Sequence, residues 1–123
     1  MGSRVVGPLK HPDTVRWIQF SPDASTLVTS CGDHVYLWNA NTGKQVSKQK
    51  SQYSHLTFSP DGTRLAGATI MGNVKIWDPV TGQDIEGPRE HVNDVTSLCF
   101  SPNGTTLASA SSSTIHICMG DIL

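Results

Sequence analysis

A four-residue phrase occurs three times in this chain. Phe20-Ser21-Pro22-Asp23 returns as Phe58-Ser59-Pro60-Asp61 and again as Phe100-Ser101-Pro102-Asn103, at steps of 38 and 42 residues. Behind each copy comes a run of small and apolar residues: Thr26-Leu27-Val28-Thr29-Ser30, Arg64-Leu65-Ala66-Gly67-Ala68 and Thr106-Leu107-Ala108-Ser109-Ala110. A β-branched run follows in each: Val35-Tyr36-Leu37-Trp38-Asn39, Val74-Lys75-Ile76-Trp77-Asp78 and Ile115-His116-Ile117-Cys118-Met119. A period near 40 residues with strand-turn-strand content implies stacked sheets, either a propeller or another solenoid.

The phrase itself is a turn with a mechanism. Pro60 presets φ, Asp61 can bond its own backbone, and Gly62 takes the left-handed position. The apolar runs are four to six residues long and bounded by Gly, Pro, Asn, Asp or Ser, and no window keeps helical spacing over three turns. Strands are expected near 15–20, 26–31, 34–39 and 44–48, then 53–58, 64–69, 73–78 and 83–86, then 95–100, 106–111 and 114–119. A further short strand is expected at Arg4-Val5-Val6.

Composition narrows the function classes. The chain has 123 residues, 37% hydrophobic and 15% charged, which excludes a disordered tail and a coiled coil. Net charge is −1, so no basic field exists to hold nucleic acid. No apolar run approaches the ~18–20 residues of a membrane span. The three cysteines, Cys31, Cys99 and Cys118, form no CxxC pair. That argues against a disulfide framework or a zinc knuckle and for a reducing, cytoplasmic setting. No cofactor or metal is expected.

The three registered copies resemble WD40 repeats. The marks are the Phe-Ser-Pro-Asp-Gly turn and the Trp-Asp ending of the third strand, spread over essentially the whole chain. The spread of motifs is also similar to the tandem WD40 arrays at the sensor ends of large NTPase signalling proteins. The resemblance implies an all-β chain of propeller blades, with blade 1 over 8–48, blade 2 over 49–88, blade 3 over 89–123 and a closing strand over 1–7. It also implies a buried hydrogen-bonded tetrad in the first blade: His11, Thr29, Asp33 and Trp38. In the second blade Gln49, Gly67 and Met71 replace the first three, and only Trp77 remains. In the third, His91 and Ser109 remain, but Ser113 and Cys118 replace the acid and the indole. Both blades must then rely on apolar packing.

An enzyme reading meets that tetrad directly, because His11, Asp33 and Thr29 would converge. A nucleophile needs an open face and oxyanion donors, whereas this hydroxyl is expected to be buried and committed to Trp38. No Gly-x-Ser-x-Gly elbow, His-Glu-x-x-His or phosphate loop occurs. His34, His55 and His116 share no ligand spacing with cysteine and read as surface or half-buried residues. Cys31 and Cys99 read as small core residues, and Trp17 as a side chain packed between blades.

The function implied is a non-catalytic protein-interaction scaffold. The resemblance places partner contacts on the top-face loops: Thr14 and Arg16 with Gly32, Gln52 and Ser54 with Ile70, and Asp94 and Thr96 with Ser112. The strand tally is one at the start, then four, four and three, which makes three four-stranded blades' worth in permuted order. Propellers have about four to eight blades. Either the chain is an assembly or structural fragment of a larger propeller with no binding site of its own, or copies join. A twofold dimer, each N-terminal strand completing the other chain's third blade, would make a six-bladed ring.

Overall fold

The computed structural model describes residues 5–50, 53–69, 72–90, 95–112 and 114–119. All regular structure among them is strand. The elements are β1 (Val15–Phe20), β2 (Thr26–Cys31), β3 (His34–Asn39), β4 (Gln45–Lys50), β5 (Tyr53–Phe58), β6 (Leu65–Thr69), β7 (Asn73–Trp77), β8 (Asp84–Glu90), β9 (Val95–Phe100), β10 (Thr106–Ser111) and β11 (Thr114–Met119). They form three antiparallel sheets, ordered β1-β2-β3-β4, β5-β6-β7-β8 and β11-β10-β9. The internal register repeats: Val28 faces Leu37, Ala66 faces Ile76 and Ala108 faces Ile117.

The turn between the first two strands of each sheet is built from its own side chains. Asp23 Oδ1 accepts from the Ser25 amide at 3.0 Å and the Ser21 hydroxyl at 2.8 Å, while Ser21 Oγ accepts from the Thr26 amide at 3.0 Å. Asp61 and Asn103 repeat the pattern. In the last two copies the left-handed position is Gly62 (φ 77°) and Gly104 (φ 74°), but in the first it is Ala24, at φ 62°. A Cβ is strained there, whereas glycine is not. Ala24→Gly is therefore expected to raise the stability by about 0.5–1 kcal/mol, after allowance for the greater freedom of glycine in the unfolded chain. The midpoint of urea unfolding checks this; an unchanged or lower midpoint contradicts it.

Alternation along the strands sorts the apolar side chains onto two sheet faces. Val28, Val35 and Leu37 of the first sheet pack against Tyr53, Leu56, Phe58, Leu65 and Trp77 of the second. The opposite face of the second sheet carries Ala66, Ala68, Val74 and Ile76, which pack against Val95, Leu107, Leu98 and Phe100 of the third. Trp17 lies between blades as expected, with Nε1 donating to the Leu56 carbonyl at 2.7 Å. Gln19 Oε1 accepts from the Phe58 amide at 3.0 Å, and the Ser30 hydroxyl donates to the Tyr53 carbonyl at 2.8 Å. These side chains satisfy the free backbone edge of β5, which would otherwise be a template for another strand.

Two expectations need correction. Cys99 is exposed, not core. It stands between Leu98 and Phe100 on β9, so alternation turns it away from the second sheet. Val5 and Val6 form no strand. Their segment instead runs beside the first blade, where a side chain on Gly43 would meet Val6 and Leu9. One blade further on, Gln49 of β4 stands in the same relation to Gly82. The N-terminal segment thus follows the course of a preceding blade's outer strand, and among the described residues it pairs with no strand.

Candidate functional site

The polar cluster of the first blade is assembled from three elements. His11 lies in the loop before β1, Thr29 in the middle of β2 and Trp38 near the end of β3. The buried Trp38 Nε1 donates to Thr29 Oγ1 at 3.0 Å. Thr29 Oγ1 lies 2.8 Å from His11 Nε2, and His11 Nδ1 lies 3.0 Å from the Leu9 carbonyl oxygen. A carbonyl only accepts, so Nδ1 carries the proton of the neutral ring and Nε2 accepts from the Thr29 hydroxyl. The chain of donors runs from indole to hydroxyl to imidazole to backbone. Leu9 and Leu27 pack beside Cys31, Tyr36 and Trp38 on this face.

The fourth expected member is elsewhere. Asp33 Oδ1 pairs with the adjacent His34 Nδ1 at 2.8 Å, and the Asp33 side chain is 47% exposed. The Leu9 carbonyl already gives the imidazole its acceptor without bringing an ionised carboxylate out of water. Thr29 is only 2% exposed, so its hydroxyl, committed to the indole and the imidazole, is closed off from a substrate. Among the described residues no three of His, Cys, Asp and Glu stand close enough to hold a metal ion.

The second blade fills the same place with an aromatic pair. Tyr53 stacks on Trp77 with ring centroids 5.1 Å apart and planes at 20°. A Cβ on Gly67 would fall 2.8 Å from Tyr53 Cδ1 and 3.0 Å from Trp77 Cη2, so the missing side chain makes room for the stack. Trp77 Nε1 is buried there without a hydrogen-bond partner among the described residues. Tyr53 and Gly67 act as a unit, which the sequence signalled only through glycine at a hydroxyl position and a tyrosine early on β5. In the third blade Ser109 is buried on β10; His91, Ser113 and Met71 of the second blade lie outside the described residues.

Of the expected partner-contact residues, Thr14, Arg16, Thr96 and Ser112 are exposed and Gly32 is half-buried, all at the end of the sheets opposite the Ser-Pro-Asp turns. Thr14 follows Asp13, whose Oδ1 accepts its amide at 2.7 Å. Thr96 Oγ1 donates to the Ala110 carbonyl at 3.3 Å. Gly32 and Ser112 hold left-handed backbone, at φ 58° and 46°. Gln52, Ile70 and Asp94 lie outside the described residues, as does the side chain of Ser54.

At the other end, Asp23 and Asp61 have carboxyl groups held down to about 2, first by the Ser25 and Thr63 amides and then by neighbouring hydroxyls. Folded values below the ordinary 3.8 mean stabilisation that is full above that value and is lost as pH falls toward about 2. Asn103 shows that an amide holds the same turn. The double variant Asp23→Asn with Asp61→Asn should therefore keep its fold and show a shallower fall in melting temperature from pH 4 to pH 2. An equally steep fall would contradict this assignment.

Comparison with known proteins agrees with this architecture. The family model "WD domain, G-beta repeat" matches residues 4–39 and 84–118, more than half the chain. The second repeat, with its aromatic pair, falls between the two matches. The chain is 34% identical over 103 residues to apoptotic protease-activating factor 1 of Mus musculus, covering 82% of this chain and 8% of that protein. It is 33% identical over 136 residues to periodic tryptophan protein 2 of Arabidopsis thaliana, covering 91% and 15%. With the small ribosomal subunit protein RACK1 of Drosophila melanogaster it shares 31% over 113 residues, covering 87% and 35%. The chain thus spans well under half the length of each. A crystal structure of the RRP9 WD40 repeats superposes with a TM-score of 0.76 at 20% identity, over 83% of this chain and 34% of that one, which speaks to the fold alone. With three blades in one repeated register and these matches over most of its length, the chain belongs to the WD40 repeat family.

Proposed function

We propose that the chain is a non-catalytic interaction scaffold, a run of propeller blades that assembles through its blade faces and presents its top-edge loops to a protein partner. WD40 repeats in general mediate protein–protein contact, and the coarse reading rests on that family membership. One observation carries the assembly half. At both internal junctions an apolar pair on the third strand of one blade meets an apolar pair on the first strand of the next: Val35 and Leu37 meet Leu56 and Phe58, while Val74 and Ile76 meet Leu98 and Phe100. The matching pairs at the two ends are bare. Ile18 and Phe20 are 62% and 58% exposed, and Ile115 and Ile117 are 68% and 63% exposed. Each end therefore offers the surface that the other end lacks.

Two copies related by a twofold axis would bury both pairs at two equivalent seams and make six blades. Residues 1–7 would then pair along the third blade of the other copy, which would draw Val5 and Val6 into the strand structure that they lack in the single chain. The alternative is that the flanking blades of a longer propeller cover the same faces, and the observation behind it is the small share of its relatives' length that this chain spans. Free Cys31 and Cys99 suit a reducing, intracellular setting in either case.

The partner-binding half rests on the exposed residues Thr14, Arg16, Thr96 and Ser112. These carry little charge, which suits a protein surface better than nucleic acid or membrane. Arg16→Ala combined with Asp94→Ala should leave the circular dichroism spectrum unchanged and weaken capture of the partner recovered with the unaltered chain. Undiminished capture of that partner would contradict the top-edge assignment.

A further inference from the structure

The end of the molecule opposite those loops holds a groove of about 460 Å³ between the first and second blades. Its apolar lining includes Leu37, Phe58, Val46 and Val80, and its charged lining is Asp23 and Asp61. Two of the valines are unusually bare, Val46 on the outer strand β4 and Val80 in the turn after β7. We propose that this groove docks a short extended segment of a partner protein, with an aliphatic side chain seated on Val46 and Val80 and a lysine or arginine beside it meeting the two carboxylates.

The charge argument is specific to this junction. Both carboxylates stay ionised at any physiological pH, since the turn amides and hydroxyls hold their protonation near pH 2. Those hydrogen bonds fall on Oδ1 of each residue, so Oδ2 is the oxygen that a cation would meet. Arg64 lies near Asp61 and offsets part of its charge, but among the described residues no cationic side chain lines the groove. At the next junction the turn residue corresponding to Asp61 is Asn103, so the paired carboxylates do not recur. A volume of this size accommodates two or three side chains of a peptide, not a folded surface. Because the groove lies between two blades of one chain, it does not depend on how the ends are covered or on the top-edge reading.

The test is a methyl-detected NMR titration of the intact chain with two capped hexapeptides. Both have a leucine-valine centre; one is flanked by lysine and arginine, the other by glutamates. The basic peptide should give saturable shifts at the Val46 and Val80 methyls, and the acidic one none. The double variant Asp23→Asn with Asp61→Asn, which keeps the turns, should bind the basic peptide about fivefold more weakly. Equal binding of the two peptides, undiminished binding by the variant, or shifts confined to Ile18 and Ile115 would each overturn the proposal.

Discussion

Replacing Thr29 by valine is expected to destabilise the first blade by about 2–4 kcal/mol, a large effect for a change that preserves shape. The hydroxyl both accepts from the buried Trp38 indole at 3.0 Å and bonds His11 Nε2 at 2.8 Å. Valine leaves the buried indole without its acceptor and takes one partner from the half-buried imidazole. Trp38→Phe removes the stranded donor, so Thr29→Val should lose less stability in that background, by about 1 kcal/mol. Asp33→Asn should change stability by no more than about 0.5 kcal/mol, because that side chain is half exposed and, among the described residues, bonded only to its neighbour His34. Urea unfolding of the four variants measures all of this. A large loss in Asp33→Asn with a small one in Thr29→Val would mean that the carboxylate, not the Leu9 carbonyl, anchors the imidazole.

Restoring the missing hydroxyl to the second blade should do harm. Gly67→Thr is expected to lower the stability by about 1–3 kcal/mol, although it moves the sequence toward the family pattern and supplies a β-branched residue to a strand. The added Cβ alone would press on the buried rings of Tyr53 and Trp77, at 2.8 and 3.0 Å. Tyr53→Val copies the first blade, where Val15 stands in the corresponding position, and vacates that volume. In its background Gly67→Thr should be milder than in the native chain, because Trp77 Nε1 then has an acceptor within reach. A stabilising Gly67→Thr in the native chain would contradict the account of the stack, as would two penalties that simply add.

The repeat made most of the fold legible. From β1 to β11 the strand limits fell within a few residues, save that β8 runs on to Glu90, because each turn is specified by its own Ser, Pro and Asp or Asn side chains; the strand expected at Arg4-Val5-Val6 is missing at Val5 and Val6. Trp17 lies between blades as expected, while Arg16 and Ile18 on either side of it share the opposite, exposed face of β1. The polar cluster was legible only in part. His11, Thr29 and Trp38 meet as the pattern implies, but the imidazole's second partner is a main-chain carbonyl, and a backbone acceptor has no residue identity to read. Tyr53 escaped notice because its role depends on empty space at Gly67 on the neighbouring strand β6. Cys99 was misplaced for a simpler reason: composition says that a small apolar residue suits a core, but only register says which face it falls on.

The bare end faces make solution mass the most direct measurement. Sedimentation equilibrium of the intact chain should give twice 13.2 kDa. Phe20→Asp and Ile117→Asp, each on a different end face, should both give the single-chain mass, because either substitution spoils both seams of a twofold ring. A well-behaved species of 13.2 kDa from the unaltered chain would contradict the claim that these blades assemble through their faces with a second copy.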